Sequence, residues 1–229
     1  MRLPKSLSLI IPVYNEAIRL PRALKVCRQT AQANPGWEFI FVNDGSTDTT
    51  AQLIKKTHFK LVSYPKNQGK GYALKQGVAA ASRPLTLITD VDFSTPLTEL
   101  NKFFPVSADI IVGSRKTKGA QITKHQSPWR EFLGRQFTNL TNLWLGTDIS
   151  DVTCGFKLFK TPAAKKLFRL SKIKRWGYDA EILFLAKKLN FKTAEIPVVW
   201  QNDARTKVTL LPDILRSLTD LILIRVFHG

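Results

Sequence analysis

The sequence predicts a single α/β domain whose mostly parallel sheet is covered by helices on both faces. Three observations predict it. Short, continuous apolar runs rich in β-branched residues recur along the 229 residues, as expected of strands buried on both sides. Segments with apolar residues at helical spacing alternate with those runs, the order of βαβ units. Polar clusters come directly after the runs, at the carboxyl ends where such sheets bind ligands.

The elements run in order along the chain. Leu7 to Val13 (LSLIIPV) and Trp37 to Val42 (WEFIFV) are the first two strands. Between them, Arg19 to Ala33 is a helix with Leu20, Ala23, Leu24 and Cys27 on one face and Pro21 in its first turn. A helix from Thr47, a strand at Phe59 to Ser63, a helix from Gly71 to Ala81 and strands at Leu85 to Thr89 and Asp109 to Val112 continue the alternation. Trp129 to Leu145 is an amphipathic helix, with Leu133, Phe137, Leu140 and Trp144 on its stripe beside Arg130 and Arg135. Next come a strand at Cys154 to Phe159, helices around Pro162 to Leu170 and Asp179 to Leu189, and a last strand at Thr193 to Trp200. The tail, Leu210 to Phe227, is a second amphipathic helix through Leu211, Ile214, Leu215, Leu218, Leu221 and Ile222. Residues 1–209 are read as the main domain; 210–229 either belong to it or lie on a membrane.

Composition narrows the partners. Lys and Arg number 35 against 17 Asp and Glu, a formal net charge of +18, so an anionic partner is expected. Nucleic acid, anionic lipid and phosphorylated substrates all satisfy that charge, and the motifs have to separate them. No zinc finger, aromatic RNP motif or GXXG loop is visible, which ranks a nucleic-acid-binding module low and leads to no nucleic-acid partner. Cys27 and Cys154 form no CxxC pair, and His58, His125 and His228 are scattered, so neither a zinc site nor a disulfide framework is expected. A reducing cytoplasm suits such a chain. Met1 to Lys5 run straight into a strand without a signal-peptide pattern. Arg216, Asp220 and Arg225 interrupt the one candidate for a span of roughly 20 apolar residues, so no integral segment is expected.

Chemistry concentrates at the strand ends. Asp90-Val91-Asp92 presents two carboxylates, hard oxygen donors suited to Mg²⁺ or Mn²⁺ shared with a substrate diphosphate. Alone, an Asp-x-Asp is also an ordinary turn. Asn67-Gln68-Gly69-Lys70-Gly71 is a glycine loop before a helix, where backbone N–H groups and a lysine can face phosphate. It lacks the GxxxxGK[ST] spacing of a P-loop.

Ile11-Pro12-Val13-Tyr14-Asn15-Glu16, Val42-Asn43-Asp44-Gly45-Ser46-Thr47-Asp48 and the Asp-x-Asp together resemble the nucleotide-binding half of family 2 glycosyltransferases. Further motifs succeed one another in order: Gly113-Ser114-Arg115, Asp151 to Phe159, Arg175-Trp176-Gly177-Tyr178-Asp179-Ala180-Glu181, and Ile196 to Trp200 with Lys207. With them nearly the whole chain is similar to dolichyl-phosphate β-glucosyltransferases and their prokaryotic polyprenyl-phosphate relatives. It departs at Thr153, where the eukaryotic enzymes tend to carry Gln, and at Arg205-Thr206, where they tend to carry Gly-Ser. It also lacks the transmembrane helices appended to many of them.

The resemblance implies a GT-A, Rossmann-like fold. It implies a nucleotide-sugar pocket with Pro12, Tyr14, Glu16, Asp44, Gly69, Lys70, Asp90, Asp179 and Glu181, a metal on Asp90 and Asp92, and catalytic roles for Asp92, Arg115 and Lys207. Arg115, Arg130 and Lys207 are expected to orient a lipid phosphate. UDP-glucose is the favoured donor, with GDP-mannose a second possibility, and a polyprenyl phosphate is the acceptor. Direct displacement by an acceptor that is already anionic inverts the anomeric centre. Asp179 and Glu181 also suit plain stabilisation of a helix N-terminus. The two amphipathic, basic helices are expected to hold the protein peripherally on an anionic membrane at its cytoplasmic face. A soluble glycan or protein acceptor is the alternative.

Overall fold

The run Leu7–Val13 becomes strand β1, buried at every residue except Pro12, in the computed structural model, which describes residues 4–203 and 210–229. It pairs in parallel with β2 (Trp37–Asp44) along its whole length, from Leu7 opposite Trp37 to Val13 opposite Asn43. On its other side it pairs in parallel with β4 (Leu85–Ile88), and β3 (Lys60–Tyr64) extends the sheet beyond β2. Side chains alternate between two cores, as strand geometry requires. Ile10, Ile40, Val42 and Ile88 pack with Ala73 and Leu74 of α3 (Lys70–Ala80); Leu9, Ile11, Phe39 and Phe41 pack with Leu20, Leu24 and Cys27 of α1 (Leu20–Ala33). Cover on both sides is what makes these strands continuous apolar runs.

The order across the sheet is β3-β2-β1-β4-β7-β5-β8, with β5 at Ile110–Ser114, β7 at Lys157–Lys160 and β8 at Thr193–Pro197. The sheet is mostly parallel as expected, with one exception. The strand expected at Cys154 starts at Lys157 and runs antiparallel to both β4 and β5, with Lys157 opposite Ile88. β7 therefore begins where β4 ends, which brings the preceding segment, 150–156, beside Asp90. The strand expected from Thr193 to Trp200 is broken at Val198: β8 joins the main sheet and β9 (Val199–Gln201) pairs with the unanticipated β6 (Gln121–Lys124). A 3-10 helix at Leu97–Lys102 was likewise unanticipated, and α2 (Thr50–Lys55) starts after Thr47, whose N–H donates instead to Asn15 Oδ1.

The remaining helices are α4 (Pro128–Leu145), α5 (Thr161–Leu170), α6 (Tyr178–Lys188) and α7 (Leu210–His228). On α4 the expected stripe divides. Leu133 and Phe137 turn toward the cleft that opens at the carboxyl ends of the strands, whereas Leu140 and Trp144 are exposed, together with Trp129, Phe132 and Leu143. Helix α7 packs on α4 and α6 through the buried Leu221 and Ile224. Trp144 Nε1 donates to Leu221 O (3.2 Å) and Arg225 Nη2 to Trp144 O (2.7 Å). Outward from α7 point Leu215, Ile222, Val226 and Phe227, all exposed. Among the described residues no helix is long and apolar enough to cross a membrane.

Candidate active site

The carboxyl ends of β1, β2 and β4 open into a cleft of about 1170 Å³ that continues under α4 to α7. Pro12, Tyr14 and Glu16, just past or at the end of β1, line it, as do Asp44 at the end of β2 and Asp90 and Asp92 beyond β4. Parallel strands ending at one edge are the cause: residues far apart in sequence emerge side by side.

Asp44 is buried and spoken for. Its carboxylate accepts hydrogen bonds from Gln68 N (2.7 Å), Gly69 N (2.9 Å) and Asn67 Nδ2 (2.9 Å), so it holds the glycine loop against the cleft. Gly69 adopts φ +104°, a conformation open to glycine, and a Cβ there would meet Lys174 O at 2.6 Å. Lys70, at the start of α3, places its Nζ 2.6 Å from Asp90 Oδ1. Burial works against the Asp90 charge, yet the Lys70 ammonium outweighs it and holds the carboxyl below its ordinary value. Asp92 moves the other way: burial and the neighbouring Asp90 charge raise it. Glu16 binds Arg19 through two charge-assisted hydrogen bonds and so sets Arg19 Nη1 3.9 Å from both Asp92 and Asp203.

The opposite wall is built from internal ion pairs. Arg115, past the end of β5, gives Nε and Nη2 to the two oxygens of Asp151 (both 2.7 Å), and its backbone N–H also reaches Asp151 (2.9 Å). Asp151 is fully buried. Arg115 Nη2 further donates to Thr153 Oγ1 (3.0 Å), and the guanidinium lies over Trp200, 5.2 Å from the ring centre. Lys157, itself buried, donates to Val152 O (3.1 Å), Cys154 O (2.5 Å) and Asp179 Oδ1. These clamps set Gly155 against Asp90 so closely that a Cβ would lie 2.3 Å from Asp90 Oδ2. Toward α4 and α7 the cleft is lined by Lys116, Arg130, Arg135 and Arg216, and Arg175 lines it beside Gly69.

Known proteins are similar to this chain in sequence and in fold. The family described as "Glycosyl transferase family 2" matches residues 8–168. The chain belongs to this family. A dolichyl-phosphate beta-glucosyltransferase of Trichomonas vaginalis is 32% identical over 239 residues, covering 95% of this chain and 70% of that protein. The human dolichyl-phosphate beta-glucosyltransferase is 30% identical, covering 97% of this chain and 75% of its own length. Among solved structures, glucosyl-3-phosphoglycerate synthase from Mycobacterium tuberculosis, bound to Mn²⁺, UDP-glucose and phosphoglyceric acid, aligns with a TM-score of 0.71 at 16% identity over 96% of this chain and 79% of that one. Mannosyl-3-phosphoglycerate synthase from Rubrobacter xylanophilus aligns with a TM-score of 0.69 at 16% identity over 96% and 74%. The fold is GT-A.

In this family 2 glycosyltransferase the cleft brings together Pro12, Tyr14, Glu16, Asp44, Gly69, Lys70, Asp90, Asp92, Arg115, Arg130 and Asp179. The expectation that Glu181 lines the pocket is corrected. Two residues on from Asp179 a helix has turned by roughly 200°, so Glu181 points into the protein. There it is wholly buried and accepts Lys172 N (2.7 Å) and Ile173 N (2.9 Å). Lys207 lies outside the described residues. Sequence reasoning missed Arg19, Lys116 and Asp203 as cleft residues. Arg19 carried a signal, its spacing of three from Glu16; Lys116 and Asp203 carried none.

Proposed function

We propose that this glycosyltransferase transfers glucose from UDP-glucose to a polyprenyl phosphate of the dolichyl or undecaprenyl kind, working peripherally on the cytoplasmic face of a membrane. One observation carries the reading: a single cleft holds the Asp90–Asp92 pair at one end and a cationic cluster at the other, and that cluster lies between helices whose outer faces are apolar. The first end suits a nucleoside diphosphate and the second an anionic phosphate on an apolar chain. The names of the relatives support the same sugar and acceptor, and a solved structure of the same fold holds UDP-glucose.

Asp90 and Asp92 fit a hard divalent cation, Mg²⁺ or Mn²⁺. Their oxygens border the cleft next to the bare Cα of Gly155, and among the described residues no cluster of three or more His, Cys, Asp or Glu offers an all-protein cage. Two carboxylates completed by substrate phosphates are the usual arrangement for such ions. When bound, the ion offsets charge gathering on the departing diphosphate. Lys70 adds a fixed positive charge beside Asp90, and Asp44 keeps the Gly69 backbone turned to the same region. Arg130, Arg135, Lys116 and Arg216 orient the acceptor, joined by Lys207 on the sequence pattern alone. An oxygen of the acceptor phosphate forms the new bond to the anomeric carbon, while the bond to the diphosphate breaks and its electron pair leaves with that group. A phosphate monoester is anionic at neutral pH, so no strong general base is required, and an α-linked donor yields a β-linked product. Arg115, on the wall of the cleft, secures Asp151 and Thr153.

The test is transfer from a panel of radiolabelled nucleotide sugars into vesicles containing dolichyl or undecaprenyl phosphate. A mild-acid-labile lipid product from UDP-glucose, dependent on divalent cation, is expected. Label reaching only a soluble glycan or protein would overturn the acceptor, and preferential use of GDP-mannose would overturn the donor.

A further inference from the structure

An irregular segment, 171–177, joins α5 to α6 and carries Arg175 and Trp176 to the cleft. Lys70 Nζ stands 5.4 Å from the centre of the Trp176 ring, a cation–π contact next to the Lys70–Asp90 pair. With no helix or strand of its own, the segment owes its position to whatever bonds its backbone. Lys174 O accepts from Tyr72 N (3.0 Å), which ties the cleft side to α3. From behind, Glu181 accepts the N–H groups of Lys172 and Ile173, and the Asp220 side chain packs against Gly177. The last contact is close enough that a Cβ on Gly177 would lie 2.5 Å from Asp220 Oδ2. His228 Nε2 completes the set, 2.8 Å from Glu181 Oε1.

Asp220 and His228 both belong to α7, whose opposite face carries the exposed Leu215, Ile222 and Val226. Neither lines the cleft, so any influence on substrate passes through the strap they hold. Given the proposed donor, on which this rests, we propose that Asp220 and His228 are positioning residues for the donor end of the cleft: from the inner side of α7 they hold the 172–177 strap so that Arg175 and Trp176 stand beside Lys70, where the nucleotide sugar lies. The terminal helix is then part of the donor site's construction as well as a candidate membrane surface. How α7 sits on the domain sets how well the donor is gripped.

The experiment uses the full chain with Asp220→Ala, Asp220→Asn and His228→Ala, and reads hydrogen exchange across 172–177 beside the KM values for UDP-glucose and dolichyl phosphate. Asp220→Ala should speed exchange in the strap and raise the donor KM, each by about tenfold, as loss of the side chain that packs on Gly177 implies. The acceptor KM should stay within about twofold of the parent. Asp220→Asn keeps the shape of the side chain that packs on Gly177 and should restore most of both readouts, which a role in bulk stability alone would not predict. His228→Ala should act in the same direction more weakly, and it carries the test if Asp220→Ala does not fold. Unchanged exchange at 172–177, an Asn variant as impaired as the Ala variant, or an acceptor KM that moves with the donor KM would overturn the inference. A parent chain that uses no UDP-glucose would refute the donor assignment instead, and the exchange measurement would still decide whether α7 holds the strap.

Discussion

Asp90 and Arg115 face one cleft and are held in opposite ways. Asp90 stands at the end of a parallel strand with its carboxylate turned to the cleft, its side chain 41% exposed, balanced by Lys70 at 2.6 Å. Arg115 is locked to a carboxylate that has no exposed surface, and Lys157 is paired nearby with Asp179, which is buried but still borders the cleft. The donor side therefore turns its Asp90–Asp92 pair to the cleft, whereas the opposite wall uses most of its charges on itself and leaves recognition to the cations of α4 and α7. A charged residue in a recognisable motif can serve chemistry by touching substrate or by fixing the loop that does.

The sharpest way to break this contrast is Arg115→Met. It strands a buried Asp151 charge and should cost about 3–5 kcal/mol in urea unfolding, the usual result of removing one partner of a buried pair. A variant of parental stability with only acceptor affinity reduced would return Arg115 to the role of phosphate ligand. The same pair predicts a pH dependence. Burial opposes the Asp151 charge, but Arg115 more than compensates and lowers its folded-state pKa. The pair's contribution is thus complete above the unfolded-state value of about 3.9 and is lost as pH falls through the lower folded-state value. Stability of the parent should drop with acidification in that window, and Asp151→Asn, weaker at neutral pH, should lose this part of the drop.

Next in size is Asp92→Asn, expected to lower kcat on the order of 10²–10³-fold because a leaving-group charge loses its stabiliser. Its effect on stability should have the opposite sign to that of Arg115→Met. Burial and Asp90 raise the Asp92 pKa, so ionised Asp92 destabilises the folded state at neutral pH and its removal should increase Tm. For a chain of this length each 1 kcal/mol appears as roughly 2–4 °C. A fall in Tm at pH 7 would show that the acidic pair is not crowded.

Gly155→Ala joins the two walls. Its methyl group displaces the Asp90 carboxylate, and turnover should fall on the order of tenfold to a hundredfold with little change in acceptor KM. The smallest expected effect belongs to the outer faces: Leu143→Ser and Val226→Ser should each weaken flotation with anionic vesicles about two- to tenfold, from lost apolar burial. Unfolding free energy should stay within about 0.5 kcal/mol, since both side chains are exposed. Vesicle binding that ignores both substitutions would assign the membrane contact to another surface.

Legibility divided along the same line. The parallel half was readable because a strand buried on both faces needs an apolar run, and the residues just beyond such a run fall at the ligand edge; Asp90 and Asp92 could be located from that alone, whereas Pro12 and Asp44 came from the family resemblance. Around β7 the pattern was ambiguous, since a four-residue strand carries no mark of its direction. Thr153 and Gly155 became cleft residues only because β7 runs antiparallel to β4. Glu181 was misassigned because a motif gives spacing, whereas the facing of each member depends on helix phase.

By itself the sequence determined the α/β class, the succession of most strands and helices, the carboxylate pair and the glycine loop, together with the family that these motifs mark. All of these rest on local patterns of burial, turn chemistry and spacing along the chain. Only the tertiary structure decided which charges meet one another. Arg19 reaches Asp92, Arg115 closes on Asp151, and Asp220 and His228 reach back from the last helix to the 172–177 strap. Partnership between charges depends on distance in space and on shared burial. Residue type and order leave those quantities open until the sheet and its helices have packed.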